Sequence, residues 1–222
     1  MSLLFSNMKK NPSNEHETPD RSDYIDLQER VHLGTARMKT HFMGNIASAL
    51  YHLCEADPEQ AQESLLALFG YLRQNVESIN RRDMLPFTWE LRHAQNYLTL
   101  ETLRFENRMQ VYTEADIEDF NLPALTIQPL VENAVKHGLA PVTDRTTTIG
   151  ITCRKLPDGS IQLQVTDDGA GFDTAILEED EYSQKSLACI RSRLKKEVGG
   201  SLQIESRPGH GTTATVIIPK TS

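Results

Sequence analysis

Residues Leu125 to Gly138 read LTIQPLVENAVKHG. Ile127, Leu130, Val131, Ala134 and Val135 recur at helical spacing and predict a buried stripe. Glu132, Asn133, Lys136 and His137 crowd onto the remaining face, and Asn133, Lys136 and His137 stand at i, i+3 and i+4, as helix neighbours do. An amide that can hold a cation, a lysine and an imidazole make an unusual set for a solvated helix face. They suit the magnesium and phosphates of a nucleotide, since Mg²⁺ favours oxygen ligands and a lysine acts as a point charge on phosphate. An ordinary polar helix face is the plain alternative, and the remainder of the chain decides between the two.

The chain has 222 residues, room for one large domain or two modest ones. Its formal net charge of -8 and pI near 5.4 disfavour non-specific binding to nucleic acid or an anionic membrane, which needs clustered Lys and Arg. The three cysteines, Cys54, Cys153 and Cys189, are far apart and form no metal-ligand spacing, as expected of small hydrophobes in a reducing cytoplasm. No apolar run approaches the ~20 residues of a membrane span. The expectation is a cytoplasmic protein, or the cytoplasmic part of a membrane sensor whose sensor segment lies outside this chain.

Residues 1–21 are polar and aperiodic and are expected to be a flexible tail. From Asp23 to Cys54 the pattern turns helical, with Val31, Met38, Phe42, Ile46, Ala49 and Leu53 on one stripe. Asp57, Pro58 and Gln60 then form an N-cap, a first helical residue and a capping box. The second helix runs to about Ile79, with Ala61, Leu65, Leu68, Leu72, Val76 and Ile79 as its stripe. Such a hairpin leaves apolar surface exposed, which predicts pairing with a second copy as a four-helix bundle. Thr88 is expected to cap a third helix over Trp89 to Asn107, Met109 to Thr113 a short strand, and Pro123 to open the helix quoted first.

After Gly138, alternating residues predict strands over Thr146 to Lys155 and Ile161 to Val165, joined at the turn Pro157-Asp158-Gly159. An acidic loop, Glu178 to Glu181, precedes a helix over Ser186 to Val198, and strands are expected over Leu202 to Ser206 and Thr212 to Ile218. The fold class is therefore α+β: a helical hairpin over residues 22–82, then an α/β sandwich with a mainly antiparallel sheet over 83–222.

The returning strand of the hairpin leads into Asp167-x-Gly169-x-Gly171. Glycines let the backbone approach a ligand closely, and a carboxylate can accept the exocyclic amine of adenine. By itself this DxGxG is as much a turn as a site. Gly209-x-Gly211-Thr212 before the last strand would ordinarily be a hairpin turn. Order and spacing carry more than any one motif.

Together these residues resemble the Bergerat-type ATP-binding domain of the GHKL superfamily (gyrase, Hsp90, histidine kinases, MutL). The wording PLVENAVKHG, with Glu90-Leu91, Tyr97-Leu98, Glu101 and Arg104-Phe105 upstream, is similar to the LytS-type sensor histidine kinases. The resemblance covers about Met38 to Pro219. It implies ATP and Mg²⁺ as cofactors, with Asn133 on magnesium, Lys136 and His137 at the phosphates and Asp167 on adenine. Gly169 and Gly171 would form the first glycine box, and Gly209, Gly211 and Thr212 the last glycine motif. It also singles out His41 in Thr40-His41-Phe42-Met43-Gly44-Asn45, at the family's phosphoacceptor position; from spacing alone it reads as a helix-surface histidine, as His52 and His93 do. The implied activity is ATP-dependent autophosphorylation of His41 and transfer to an aspartate of a response regulator, the LytTR type among the candidates. The implied assembly is a homodimer.

Three positions depart from the family wording. Thr40 stands for its proline, Met43-Gly44 for Leu-Phe, and Gln184 to Cys189 for its second glycine box, although Arg191, Arg193 and Leu194 are kept. Gly44 costs a mid-helix ~1 kcal/mol relative to alanine. The residue after His41, often an acid in histidine kinases, is Phe42, so no general base is named. The missing glycines keep open a second reading, a pseudokinase that dimerises and binds nucleotide or regulator without phosphorylating. A GHKL ATPase ranks last, because Pro129 occupies the position where such enzymes often carry a glutamate for water.

Overall fold

The computed structural model describes residues 41–80, 84–105, 108–173 and 181–220. The expectations placed on residues 1–40 and on Glu178 to Asp180 lie outside the described residues, while Glu181, expected in the acidic loop, opens a helix that was expected only from Ser186. Helix α1 covers residues 41–56 and α2 covers Pro58–Asn80. The Gln60 N–H donates to Asp57 Oδ1 at 3.0 Å, the predicted cap. Phe42 and Ile46 of α1 are buried, as expected, but beyond them Leu50 is the buried residue and Ala49 and Leu53 of the expected stripe are half-buried.

Helix α2 differs from its expected stripe. The residues it buries are Ala61, Ser64, Ala67, Tyr71, Gln74 and Ser78, whereas Leu65, Leu72 and Val76 are exposed, with Leu66 at 72% and Phe69 at 69%. Small and polar groups on the inner face allow α2 to lie close to helix α3 (Phe87–Phe105). At Gly70 an added Cβ would stand 2.5 Å from Asn96 Nδ2. That same Asn96 donates to Gln74 Oε1 at 2.9 Å, and Gln74 donates to the Trp89 carbonyl at 3.2 Å. The larger apolar residues are thereby left on the outer face. The hairpin is also tied to α3 by rings, with Phe42 centred 5.6 Å from both Tyr71 and Tyr97.

Helix α3 begins at Phe87, ahead of Thr88, and follows a short strand β1 (Met84–Pro86) that pairs antiparallel with β3 (Asn121–Pro123). Neither short strand was legible in the sequence. His93 is fully buried in α3, against Tyr71 and Trp89, which corrects its reading as a surface histidine; His52 is exposed as expected. Strand β2 (Met109–Ala115) is longer than expected and pairs parallel with β4 (Thr147–Lys155). Strand β5 (Ile161–Asp167), helix α5 (Glu181–Val198), β6 (Ser201–Ser206) and β7 (Thr212–Ile218) complete the chain. The main sheet runs β2-β4-β5-β7-β6, antiparallel except at β2–β4. Its inner face presents Ile149, Ile151, Cys153, Leu163, Val165, Ala214 and Val216, all buried in the core shared with α3, α4 and α5.

Helix α4 (Ile127–Asn133) starts four residues later than Pro123, which instead ends β3. Its start is set from outside. Glu90 of α3, wholly buried, accepts the N–H groups of Leu125, Thr126 and Ile127 at 2.7, 2.9 and 3.0 Å. These are donors that a helix N-terminus leaves without an intrahelical partner. To aim all three at one carboxylate, Leu125 adopts φ +58°, uncommon for a bulky residue. Arg193 of α5 donates to the Ala124 carbonyl beside it. Burial raises the Glu90 carboxyl, while the three N–H groups and Arg193 oppose the rise.

Replacing Glu90 with Gln turns two amide donors onto this nest of N–H groups. The expected loss is about 2–3 kcal/mol, read as a lower denaturant midpoint in urea titrations.

Candidate functional site

The helix quoted first does not stay α-helical. After Asn133 it widens into a π-helical turn, Ala134–Leu139, with the Ala140 N–H reaching back five residues to the Val135 carbonyl at 2.9 Å. The regular i, i+3, i+4 neighbourhood expected for Asn133, Lys136 and His137 is opened at this turn. Such bulges are rare and occur frequently at functional sites. Lys136 is exposed, and Asn133 and His137 are half-buried.

The wide turn delivers Gly138 against the end of β5. A Cβ on Gly138 would stand 2.4 Å from Asp167 Oδ1, so only a glycine lets the helix end approach this carboxylate. The Gly138 carbonyl accepts the Ala170 N–H at 2.9 Å, and a Cβ on Gly169 would stand 2.3 Å from the same carbonyl oxygen. From the other side comes the β6–β7 turn. The Gly209 N–H donates to the Ala170 carbonyl at 2.6 Å, and Gly211, with φ +76°, places its Cα where a Cβ would be 1.9 Å from the Asp167 carbonyl. The three glycine-bearing segments read separately from the sequence therefore meet around one residue, Asp167.

Asp167 is 8% exposed. It accepts the Gly169 N–H at 3.0 Å and hydrogen bonds from the Thr212 hydroxyl and N–H. Burial nonetheless pushes its carboxyl up from 3.8 to about 6, more than these donors pull it down. A buried carboxylate still short of donors fits an amine-bearing ligand such as adenine. Asp168, beside it, is turned outward: its Oδ1 accepts the Thr148 N–H at 2.7 Å and faces Arg145 at 3.5 Å, and Arg145 also donates to the Asp168 carbonyl. Arg145 and Gly138 belong to the site's frame without having been singled out in the sequence. For Gly138 the signal was available, as a glycine closing a helix that already carried the polar set.

His41 is exposed on α1 and takes no part in the contacts around Asp167; among the described residues its hydrogen-bond partner is Asn45, at 3.3 Å. The stretch Gln184 to Cys189 lies inside α5, with Leu187 buried at 3%. It is a helix anchored in the core at this point and not a glycine loop. Among the described residues no group of three or more His, Cys, Asp or Glu side chains is placed to hold a metal ion. No helix of the described residues is long and apolar enough to cross a membrane.

Residues 118–222 match the histidine kinase-, DNA gyrase B- and HSP90-like ATPases, and residues 30–109 match the histidine kinase family. The protein YwpD of Bacillus subtilis (strain 168) is 34% identical over 188 residues, 82% of this chain and 67% of that protein. The chain belongs to the histidine kinase family. The sensor protein LytS of Bacillus anthracis is 32% identical over 197 residues, covering 83% of this chain and 33% of LytS. The chain thus spans two thirds of YwpD and about a third of LytS. Among solved structures, the histidine kinase domain of the Erythrobacter litoralis EL346 blue-light activated histidine kinase superposes with a TM-score of 0.50 at 17% identity, covering 81% of this chain and 93% of that one. The fold is that of a histidine kinase core with a GHKL-type ATPase domain, as the sequence resemblance implied.

The raised Asp167 has a consequence for the kinase core itself. Its proton is held more tightly folded than unfolded, so its contribution to stability is complete below the unfolded value of 3.8 and is lost as pH rises through about 6. Denaturation from about pH 4 to 7 should show Asp167→Asn gaining on the parent protein across that window.

Proposed function

We propose that the chain is the kinase core of a two-component sensor: it transfers the γ-phosphoryl group of ATP to His41 and from there to an aspartate of a response regulator. The observation that carries this reading is the convergence of the Asn133–Gly138 helix end, the Asp167–Gly171 strand end and the Gly209–Thr212 turn around one buried carboxylate. Its support also includes the exposed imidazole on the helical hairpin.

In this reading Asp167 accepts the exocyclic amine of adenine, and Gly169, Gly171, Gly209 and Gly211 allow the base and phosphates to lie against backbone. Thr212, already bonded to Asp167, keeps that carboxylate turned toward the base. Asn133 holds Mg²⁺, which when bound neutralises phosphate charge, and Lys136 and His137 face the phosphates. The neutral imidazole of His41 forms the N–P bond as the bond to the ADP oxygen breaks, a step governed by positioning and charge. Residues 22–82 carry the acceptor and the dimer contact, and 83–222 form the catalytic domain. The exposed Leu66 and Phe69 face supports a homodimer built on the hairpin. A cytoplasmic setting, with a sensor segment elsewhere in a longer protein, accords with the acidic charge and with the LytS match. A regulator of the LytTR type is the partner class suggested by the LytS resemblance.

Incubation with γ-labelled ATP and Mg²⁺ should give acid-labile, alkali-stable label that His41→Gln abolishes and chelation of Mg²⁺ prevents. Robust label on the His41→Gln protein would sink the acceptor assignment. Because an amine donor lowers the Asp167 pKa, ATP should bind about tenfold more weakly for each pH unit below 6; calorimetry across pH checks this against Asp167→Asn, which should bind weakly throughout. Phe69→Glu should turn the dimer into a monomer in sedimentation velocity runs.

One observation favours a second reading, a pseudokinase. Gln184 to Cys189 are held in α5, where the family carries glycines. Failure of ATP–Mg²⁺ to bind in calorimetry would select it, and micromolar affinity with labelled His41 would exclude it.

A further inference from the structure

The backbone donors around Asp167 are themselves held. Asp167 Oδ1 accepts the Gly169 N–H at 3.0 Å, and the Ala170 N–H donates to the Gly138 carbonyl at 2.9 Å. Each N–H shares a rigid peptide plane with the carbonyl before it, that of Asp168 for the first and that of Gly169 for the second. Both carbonyls accept from one nitrogen, Nη2 of Arg145, the Gly169 carbonyl at 3.4 Å. The guanidinium thus grips, from behind, the two peptides that face the Asp167 carboxylate and the end of the π-helical turn.

Arg145 is fixed in its turn. It lies in the loop 140–146 between the π-helical turn and β4, and that loop is tied at three points. The Val142 N–H donates to the Leu139 carbonyl at 2.9 Å, Arg108 Nη1 to the Val142 carbonyl at 3.1 Å, and the Thr147 N–H to the Arg108 carbonyl at 2.9 Å. Arg145 also forms an ion pair with Asp168, at 3.5 Å, but both side chains are about half exposed and such a pair contributes little. The hold on the carbonyls contributes more. A charged donor makes the stronger hydrogen bond, and a carbonyl so held polarises the N–H on the far side of its peptide.

We propose that Arg145 is the positioning residue of the adenine-reading carboxylate: by gripping the Asp168 and Gly169 carbonyls it fixes the Gly169 N–H on Asp167 Oδ1 and so keeps that carboxylate turned toward the exocyclic amine of the base. This rests on the reading of Asp167 as the adenine contact. The second gripped peptide holds Gly138, so the same guanidinium keeps the base side in register with the helix that carries Asn133 and Lys136. Arg145 itself touches no nucleotide. It acts on which nucleotide is taken, through a contact made alike before and during phosphoryl transfer, so its effect falls on binding and not on turnover.

The test compares ATP with purine riboside triphosphate, which is ATP without its exocyclic amine. At about pH 8, where Asp167 is ionised, calorimetry with Mg²⁺ on the parent should show ATP binding at least about 10-fold tighter, the size of one hydrogen bond to a charged group. In Arg145→Ala the two affinities should come within about threefold of each other, the loss falling on ATP and, in autophosphorylation, on KM rather than kcat. Asp168→Asn removes the ion pair yet keeps an oxygen for the Thr148 N–H, and should discriminate as the parent does. In ¹⁵N-labelled protein without nucleotide, the Gly169 and Ala170 amides should exchange with solvent about 10-fold faster in Arg145→Ala. An unchanged affinity ratio or unchanged exchange in Arg145→Ala, equal weakening of both nucleotides, or the same loss in Asp168→Asn would overturn the proposal. A parent that does not distinguish the two nucleotides would instead overturn the adenine reading of Asp167, and the amide exchange would still decide what Arg145 holds.

Discussion

The contact on which the site depends is the carboxylate of Glu90 gathering three N–H groups at the start of α4. A helix that must end at a chosen place has to begin at one, and no local side chain sets this beginning. Thr126, at the N-cap, makes no capping bond to the helix and instead donates its hydroxyl to the Pro123 carbonyl at 2.6 Å. The cap comes from α3, and Arg193 of α5 steadies the same turn through Ala124. Two other helices therefore fix where α4 starts. Its far end, carrying Asn133, Lys136 and Gly138, is then placed against the end of β5. The cost is a buried acid and a left-handed Leu125, both repaid by donors that would otherwise be orphaned in the interior.

At the other end of the helix the constraint is room. Asp167 is surrounded by backbone: Gly138 approaches from the helix, Gly169 from its own strand end and Gly211 from the last hairpin. A Cβ at Gly138 would strike the carboxylate itself, one at Gly169 the Gly138 backbone, and one at Gly211 the Asp167 carbonyl. The widening to a π-helical turn at Ala134 is part of the same geometry, because Gly138 lies within that wider turn, where the Ala140 N–H bonds five residues back to Val135. The result is a buried carboxylate, bonded to Gly169 and Thr212, whose burial favours the protonated form.

The hairpin α1–α2 works under a different rule. On α2 the inner face is mostly small and polar, apart from Tyr71, which allows a close fit to α3 with Asn96 filling the space over Gly70. Its outer face keeps Leu66, Phe69 and Val76 in the open. One helix thus packs on α3 and leaves an apolar face outward, and the ring cluster of Phe42, Tyr71 and Tyr97 links the segment beside His41 to the helix that caps α4.

Much of this was legible in the residues. Period and turn chemistry gave α2, the β4–β5 hairpin, α5 and the last two strands, because those signals are local: an Asp-Pro cap, a Pro-Asp-Gly turn, alternating apolar residues. The order of the three glycine motifs announced the class of site. What only the tertiary structure decided was every feature in which one segment answers to another. These include the start of α4, displaced from Pro123 because Glu90 lies 35 residues away from Leu125. They include the face α2 buries, because apolar size alone does not say which partner comes closer. They include the interior position of His93, which spacing alone placed on the helix surface. The sequence by itself determined which residues could make a nucleotide site; the packing of α3 and α5 on α4 determined that they meet at Asp167.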